Sequence, residues 1–392
     1  MSRYARRREP AVRRKQRIEL IETNVPARLF VLGVALLVAV VAFGAAISEH
    51  FSVQPGWQEI EASSPKTTAS QSFVLSCKIG ERAPNQDLRA VTATYTATLD
   101  AAYQALGNEA VDGVSNLYDL NRHPNADVAV EPLLYQAFEL LNAANCRYVY
   151  LAPLLEQYDA LFAAAYDEEA AAYDPARDAG AGEFAADIAA FAASSADVQV
   201  RLMGENTLRL EVSDGYLQYA AENEITTFVD LGILRNAFLC DVVADTMWAM
   251  DAAVYSDVVI SSYDGYTRNL SSEDFSLNLF DLVDNQVLQV GTVNYSAPAA
   301  LVTFRSFPVS ASDQANYYVY ADGTVRHPYL NADGIPQAAC SELAVLSKSG
   351  SAAALAIAAL PAYTGGSLDT LAADSYVTTQ NGVMQVNGSD FQ

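Results

Sequence analysis

The chain of 392 residues is poor in the side chains that most often hold metals or act as nucleophile partners. It has three histidines (His50, His123, His327), four cysteines and two tryptophans. The histidines share no ligand spacing, and the cysteines (Cys77, Cys146, Cys240, Cys340) form no C-x-x-C, so neither a zinc knuckle nor a thioredoxin-type centre is indicated. A G-x-S-x-G elbow, a P-loop and a tandem repeat of fixed period are also missing. An even cysteine count is compatible with one or two disulfides or with buried thiols. Tyrosine, by contrast, is abundant, with twenty-two residues that suit packing and amphipathic surface.

Charge is distributed unevenly. Residues 1–28 carry nine Lys or Arg against three Glu, and the remainder carries 14 basic against 44 acidic side chains. An acidic body repels a phosphate backbone, which argues against nucleic acid as a partner. Between the two regions, residues 29–47 (LFVLGVALLVAVVAFGAAI) form a run without one polar side chain. About 20 such residues cross the hydrocarbon core, and a cleavable signal has an apolar core of only ~7–15. The run therefore reads as an uncleaved anchor, 29–48, and the positive-inside rule places the basic tail 1–28 in the cytoplasm. Everything beyond it is expected outside a cell membrane crossed once, on a polar stalk, 49–71.

The rest mixes helical and strand-like segments, which predicts an α+β domain. Strands are expected at SFVLSCKI, EITTFVDLG, FSLNLFDL and in several alternating runs between 198 and 305; helices are expected at 85–106, 130–144, 151–174 and 235–250. Residues 165–198, rich in Ala, Asp, Glu and Gly, suggest a solvated helix–loop–helix or a partly disordered insert. SGSAAALAIAAL, residues 349–360, is too short to span a membrane and has a serviceable helix start in Gly350 and Ser351.

Three stretches carry a family resemblance: FVDLGILRNAFLCD (228–241), DGTVRHPYLNADGIP (322–336) and SELAVLSKSGSAAALAIAAL (341–360). In order and spacing they resemble the FAD:protein FMN transferases of the ApbE type. That family carries D-L-G-G-I-A-K-G-Y-x-x-D, then D-G-x-x-x-H-I-(I/L)-D-P-x-T-G-x-P, then A-D-A-L-A-T. GVSNLYDLN (113–121) and RYVYLAPLLEQY (147–158) resemble its upstream segments. The likeness covers about 72–364, leaving 365–392 as a C-terminal tail.

The resemblance implies an ApbE-like domain with flavin-binding positions at Asp230, Gly232, Asn236, Asp241, Thr303 and Gly334, and a retained His327 at a catalytic position. Asp230 and His327 also have purely structural readings, as a turn-capping carboxylate and a hydrogen-bonded histidine before a proline. The family pattern is broken at Ile233 (Gly), Asn236 (Lys), Ala237 (Gly), Leu330 (Asp), Asn331 (Pro) and Asp333 (Thr). Phe304 and Arg305 stand where it has Ser and Gly after Thr303. The Asp and Thr of A-D-A-L-A-T fall on Ala353 and Ile357. Oxygens at i and i+4 share one helical face and can reach one Mg²⁺, whereas a methyl and a sec-butyl group cannot. The implied protein is a membrane-anchored, extracytoplasmic FMN-transferase-like chain with its transfer chemistry impaired, FAD as its cofactor and an exported flavoprotein as its partner. Two alternatives remain: an active Mg-dependent transferase moving FMN onto Thr or Ser, its metal ligands lying elsewhere, and a surface scaffold or adhesion module that binds no flavin. A D-x-x-(S/T)-G-A-(S/T) flavinylation segment is missing from the chain itself.

Overall fold

A computed structural model describes residues 53–391 apart from 63, 65, 251–254, 311–312 and 372–374. The basic tail, the apolar run 29–47 and His50 lie outside the described residues. Among those described, no helix is long and apolar enough to cross a membrane.

In chain order the elements are β1 (Gly56–Ile60), β2 (Phe73–Ile79), α1 (Pro84–Ala105), α2 (Leu117–Arg122), β3 (Asp127–Ala129), α3 (Pro132–Ala143), α4 (Ala152–Ala163), α5 (Asp167–Ala171), α6 (Ala179–Ala193), β4 (Val198–Gly204), β5 (Thr207–Val212), α7 (Asp214–Glu222), α8 (Arg235–Trp248), β6 (Tyr255–Ser262), β7 (Tyr266–Asn269), β8 (Asp274–Val283), β9 (Gln286–Ser296), β10 (Ala299–Arg305), β11 (Tyr318–Val319), β12 (Val325–Arg326), β13 (Glu342–Ser347), α9 (Ala352–Thr364), β14 (Ser375–Gln380) and β15 (Val383–Asn387). The main sheet runs β1-β2-β6-β7-β10-β13-β14-β15 with every neighbouring pair antiparallel. A small sheet, β3-β5-β4, sits with the helices of the middle of the chain.

The central strands β10 and β13 are buried along almost their whole length, so they are apolar at nearly every position rather than alternating. Alternate residues serve two cores. Ala300, Val302, Phe304, Leu343 and Val345 join the large core with helices α1, α8 and α9. Leu301, Ala344, Leu346 and Val377 join Leu279, Val293 and Tyr295 of the β8–β9 hairpin on the opposite face. α9 is apolar all round and buried over most of its surface, with Ala358 and Pro361 exposed. Ser351 accepts from the Ala354 amide and caps it.

Several expectations change. Residues 225–231 (within EITTFVDLG) are not a strand: the Asn121 side chain accepts from the Phe228 and Val229 amides and donates to the Val229 carbonyl, replacing a ladder partner. The segment taken for a stalk contributes β1 to the sheet, and Ser64 and Thr67 bind the buried Asp100 of α1. Residues 365–392 are not a tail, because β14 and β15 extend the sheet beyond β13. The 165–198 segment is a helix–loop–helix, with Ala185, Ile188, Ala189 and Ala192 of α6 in the core. One face of it packs, with Ala170, Ala185, Ala189 and Ala192 buried, while Ala186, Ala190 and Ala193 face water. All four cysteines are buried free thiols.

Candidate functional site

Helix α4 opens with Pro153 in its first turn and presents Leu155, Glu156, Asp159 and Phe162 along one face. Facing it is the turn from Asp230 into α8. The Asp230 amide donates to the Val149 carbonyl (2.9 Å), and its carboxylate accepts from the Gly232 amide (2.7 Å), closing a tight turn at its own chain. Gly232 has φ +52°, and a Cβ there would lie 2.8 Å from Leu155 Cδ1 and 3.1 Å from the Tyr148 ring. Glycine is required on both counts. Between α4, this turn and the β6–β7 turn lies a polar cleft of about 310 Å³.

Asp230, Gly232 and Asn236 line the cleft together, with Tyr148, Tyr158, Phe162, Tyr263, Asp159, Asp264 and Arg235. Asn236 Nδ2 donates to Asp264 Oδ2 (2.9 Å). Burial pushes the Asp230 and Asp264 carboxyls above the ordinary carboxylate range. At the exposed rim, the cleft walls and the neighbouring Asp230 push Asp159 up to about 6. The cleft thus gathers four carboxylates, counting Glu156, around one guanidinium.

The other sequence-derived positions lie elsewhere. Asp241 is buried and fully engaged: one oxygen accepts from Arg268 Nη1 (2.5 Å) and the Ala352 amide (2.8 Å), the other from the Ala353 amide (2.8 Å). It seals the start of α9. Thr303 is buried in β10, where its amide donates to the Gly265 carbonyl. His327 is 6% exposed and sits behind the cleft wall beside Tyr329, with Nδ1 unpartnered. Burial, with Arg326 adjacent, lowers its pKa to about 3, so it is a neutral imidazole. Gly334, at φ +72°, packs over Leu154, and its carbonyl accepts from Tyr158 Oη (3.3 Å).

Ala353 and Ile357 do not face the cleft. Ala353 is in the core, and Ile357 lines a separate, mainly apolar depression of about 360 Å³ beside α6 and the end of α9. Tyr148 and Leu330 line both hollows and so form the partition between them, with Tyr148 Oη donating to the Pro328 carbonyl (3.2 Å). Among the described residues no group of three or more His, Cys, Asp and Glu side chains could hold a metal ion. The carboxylates of the cleft thus do not form a metal cage, whereas its aromatic walls suit a flat ring.

Sequence reasoning missed Tyr148, Asp159, Tyr263, Asp264 and Arg235. Asp264 stands in SSYDGYTRNL, within one of the strand-like runs, whose pattern does not say where its side chain points.

No protein-family model and no curated protein sequence matches the chain. Solved structures do match. The flavin transferase ApbE from Vibrio cholerae is 13% identical, with a TM-score of 0.54 over 84% of this chain and 97% of its own. A mutant of it with a histidine replaced by glycine is 14% identical, with a TM-score of 0.48 over 85% and 97%. The antiparallel sheet with its helical layer and its polar cleft therefore has an ApbE-like fold.

Proposed function

We propose that this chain is a membrane-anchored, extracytoplasmic protein of the flavin-transferase type that binds a flavin nucleotide in the cleft between α4 and α8 without transferring FMN. The loss of transfer rests on the resemblance: the α9 positions where it expects metal-binding oxygens are Ala353 and Ile357, which lie in the core and on a separate depression rather than in the cleft, and the amides at the start of that helix are taken by Asp241 of the same chain. Residues that cannot hold Mg²⁺ cannot neutralise a diphosphate through it. Retention of a ligand is supported by the fold and by the aromatic walls, Tyr148, Tyr158, Phe162 and Tyr263. The apolar run 29–47 behind an arginine-rich tail supports the anchor and its orientation. An exported flavoprotein is the fitting partner, with this chain accessory to its flavinylation.

The test is calorimetric titration of the purified full chain with FAD, with and without Mg²⁺, alongside an assay for AMP release with an acceptor protein. Binding without AMP is expected. Mg-dependent AMP release would return the chain to the active transferases. The excess of carboxylates in the cleft favours a second reading, a scaffold module that takes no flavin, and a flat titration to millimolar FAD would establish it.

A further inference from the structure

Arg235, the first residue of α8, lines the polar cleft and also a second depression of about 380 Å³ between α1 and the segment around residues 66–68. Its guanidinium carbon stands 4.5 Å from the centre of the Tyr103 ring. Its Nε is enclosed and has no hydrogen-bond partner, and Arg235 forms no ion pair among the described residues. An arginine stays charged at any working pH, and a buried donor left unbonded is unfavourable. The side chain is therefore an oriented cation whose hydrogen-bonding capacity is unspent.

The charges on its two sides decide what it can take. On the cleft side stand Glu156, Asp159, Asp230 and Asp264, which would repel an anion. On the other side Lys66 adds a second cation and the exposed Glu109 is the carboxylate in the lining, while the Thr68 hydroxyl is paired with Tyr103 Oη (3.4 Å) and the Asn108 amide donates to Thr227 Oγ1 (3.4 Å). The nearby Asp100 has its oxygens occupied by the Ser64 and Thr67 hydroxyls. Within this depression Lys66 and Arg235 stand against the one carboxylate of Glu109, with Arg235 also balancing Asp159, Asp230 and Asp264 on its cleft side, and Arg with Lys is a chemically apt pair for a phosphate.

We infer that Arg235 and Lys66 anchor a phosphate group in this second depression, on the far side of Arg235 from the carboxylates. The phosphate is either that of a mononucleotide whose ring enters the cleft, which rests on the flavin reading above, or a free phosphate species, which does not.

The full chain titrated with FMN, riboflavin and inorganic pyrophosphate, all in EDTA, separates these sources. FMN is expected to bind about tenfold or more tightly than riboflavin, the worth of one or two charge-assisted hydrogen bonds. Pyrophosphate should compete with it, and added salt should weaken FMN but not riboflavin. Arg235→Gln should erase the advantage of FMN. Lys66→Gln, at an exposed position where folding is not at risk, should reduce it severalfold. Pyrophosphate binding that depends on Arg235, with no binding of either flavin, would keep the anion site and remove the flavin reading. Equal binding of FMN and riboflavin, or both variants binding FMN as the parent does, overturns the inference while leaving the flavin reading intact. Binding of no phosphate species overturns it outright.

Discussion

Two helices begin in the functional half of the molecule, and their starts are opposites. α9 begins at a closed end: Asp241 accepts from its first two amides and from Arg268, and Ser351 caps the third. α8 begins at an open one. It has no side-chain cap, and its first two side chains, Arg235 and Asn236, line hollows. The closed start is carboxylate chemistry turned inward to hold the fold together. The other turns its polar side chains toward hollows, Asn236 bonded to Asp264 and Arg235 with its Nε unbonded.

Breaking the closed start should have the largest effect. Asp241→Ala takes from Arg268 its nearer carboxylate, leaving Asp245 at 3.6 Å, and unbinds two helix amides in a buried setting. A loss of about 3–5 kcal/mol is expected, read as a fall in the midpoint of urea unfolding. Gly232→Ala tests the open start. It forces an alanine to positive φ against Leu155 and Tyr148, and should cost about 1–3 kcal/mol while disturbing ligand binding in the cleft. The smallest effect concerns pH. Asp159 has a folded pKa of about 6, above its ordinary value of 3.8. A raised carboxyl contributes stability that is present below the unfolded pKa and lost as pH rises through the folded one. Thermal stability should therefore decline between about pH 4 and pH 6, and Asp159→Asn should flatten that slope by roughly 0.5 kcal/mol or less, as befits an exposed side chain.

The same contrast explains what could be read from the sequence. Periodicity located α1, α3, α8, β2 and the apolar α9, because one buried face or continuous burial leaves a local trace. It failed at 225–231, where β-like composition is overruled by a single side chain, Asn121, more than a hundred residues away. It also missed that β1, β14 and β15 belong to the sheet: β1 and β15 are short edge strands that carry little pattern, and β14 is a short strand rich in polar residues beside one of them. In the site, the resemblance located Asp230, Gly232 and Asn236 because they lie on one turn. It placed Asp241 near a ligand because spacing alone does not say which way a helix turns its carboxylate. Arg235 was overlooked although it neighbours Asn236, where the family's lysine was sought. A cation shifted by one residue along a helix is invisible to a motif and plain in three dimensions.

Asp174 ties two distant segments of the chain. Its fully buried carboxylate accepts from Tyr320 Oη (3.0 Å) and Arg326 Nε (2.8 Å), joining the alanine-rich stretch of α5 and α6 to the β11–β12 ribbon. That ribbon runs straight into His327, Pro328 and Leu330, the wall of the cleft. A stretch without any reactive group of its own thus acts as the guy-rope of the binding site: the position of the wall is set from outside the cleft, and sequence drift in those alanines would be felt as a change in what the cleft admits.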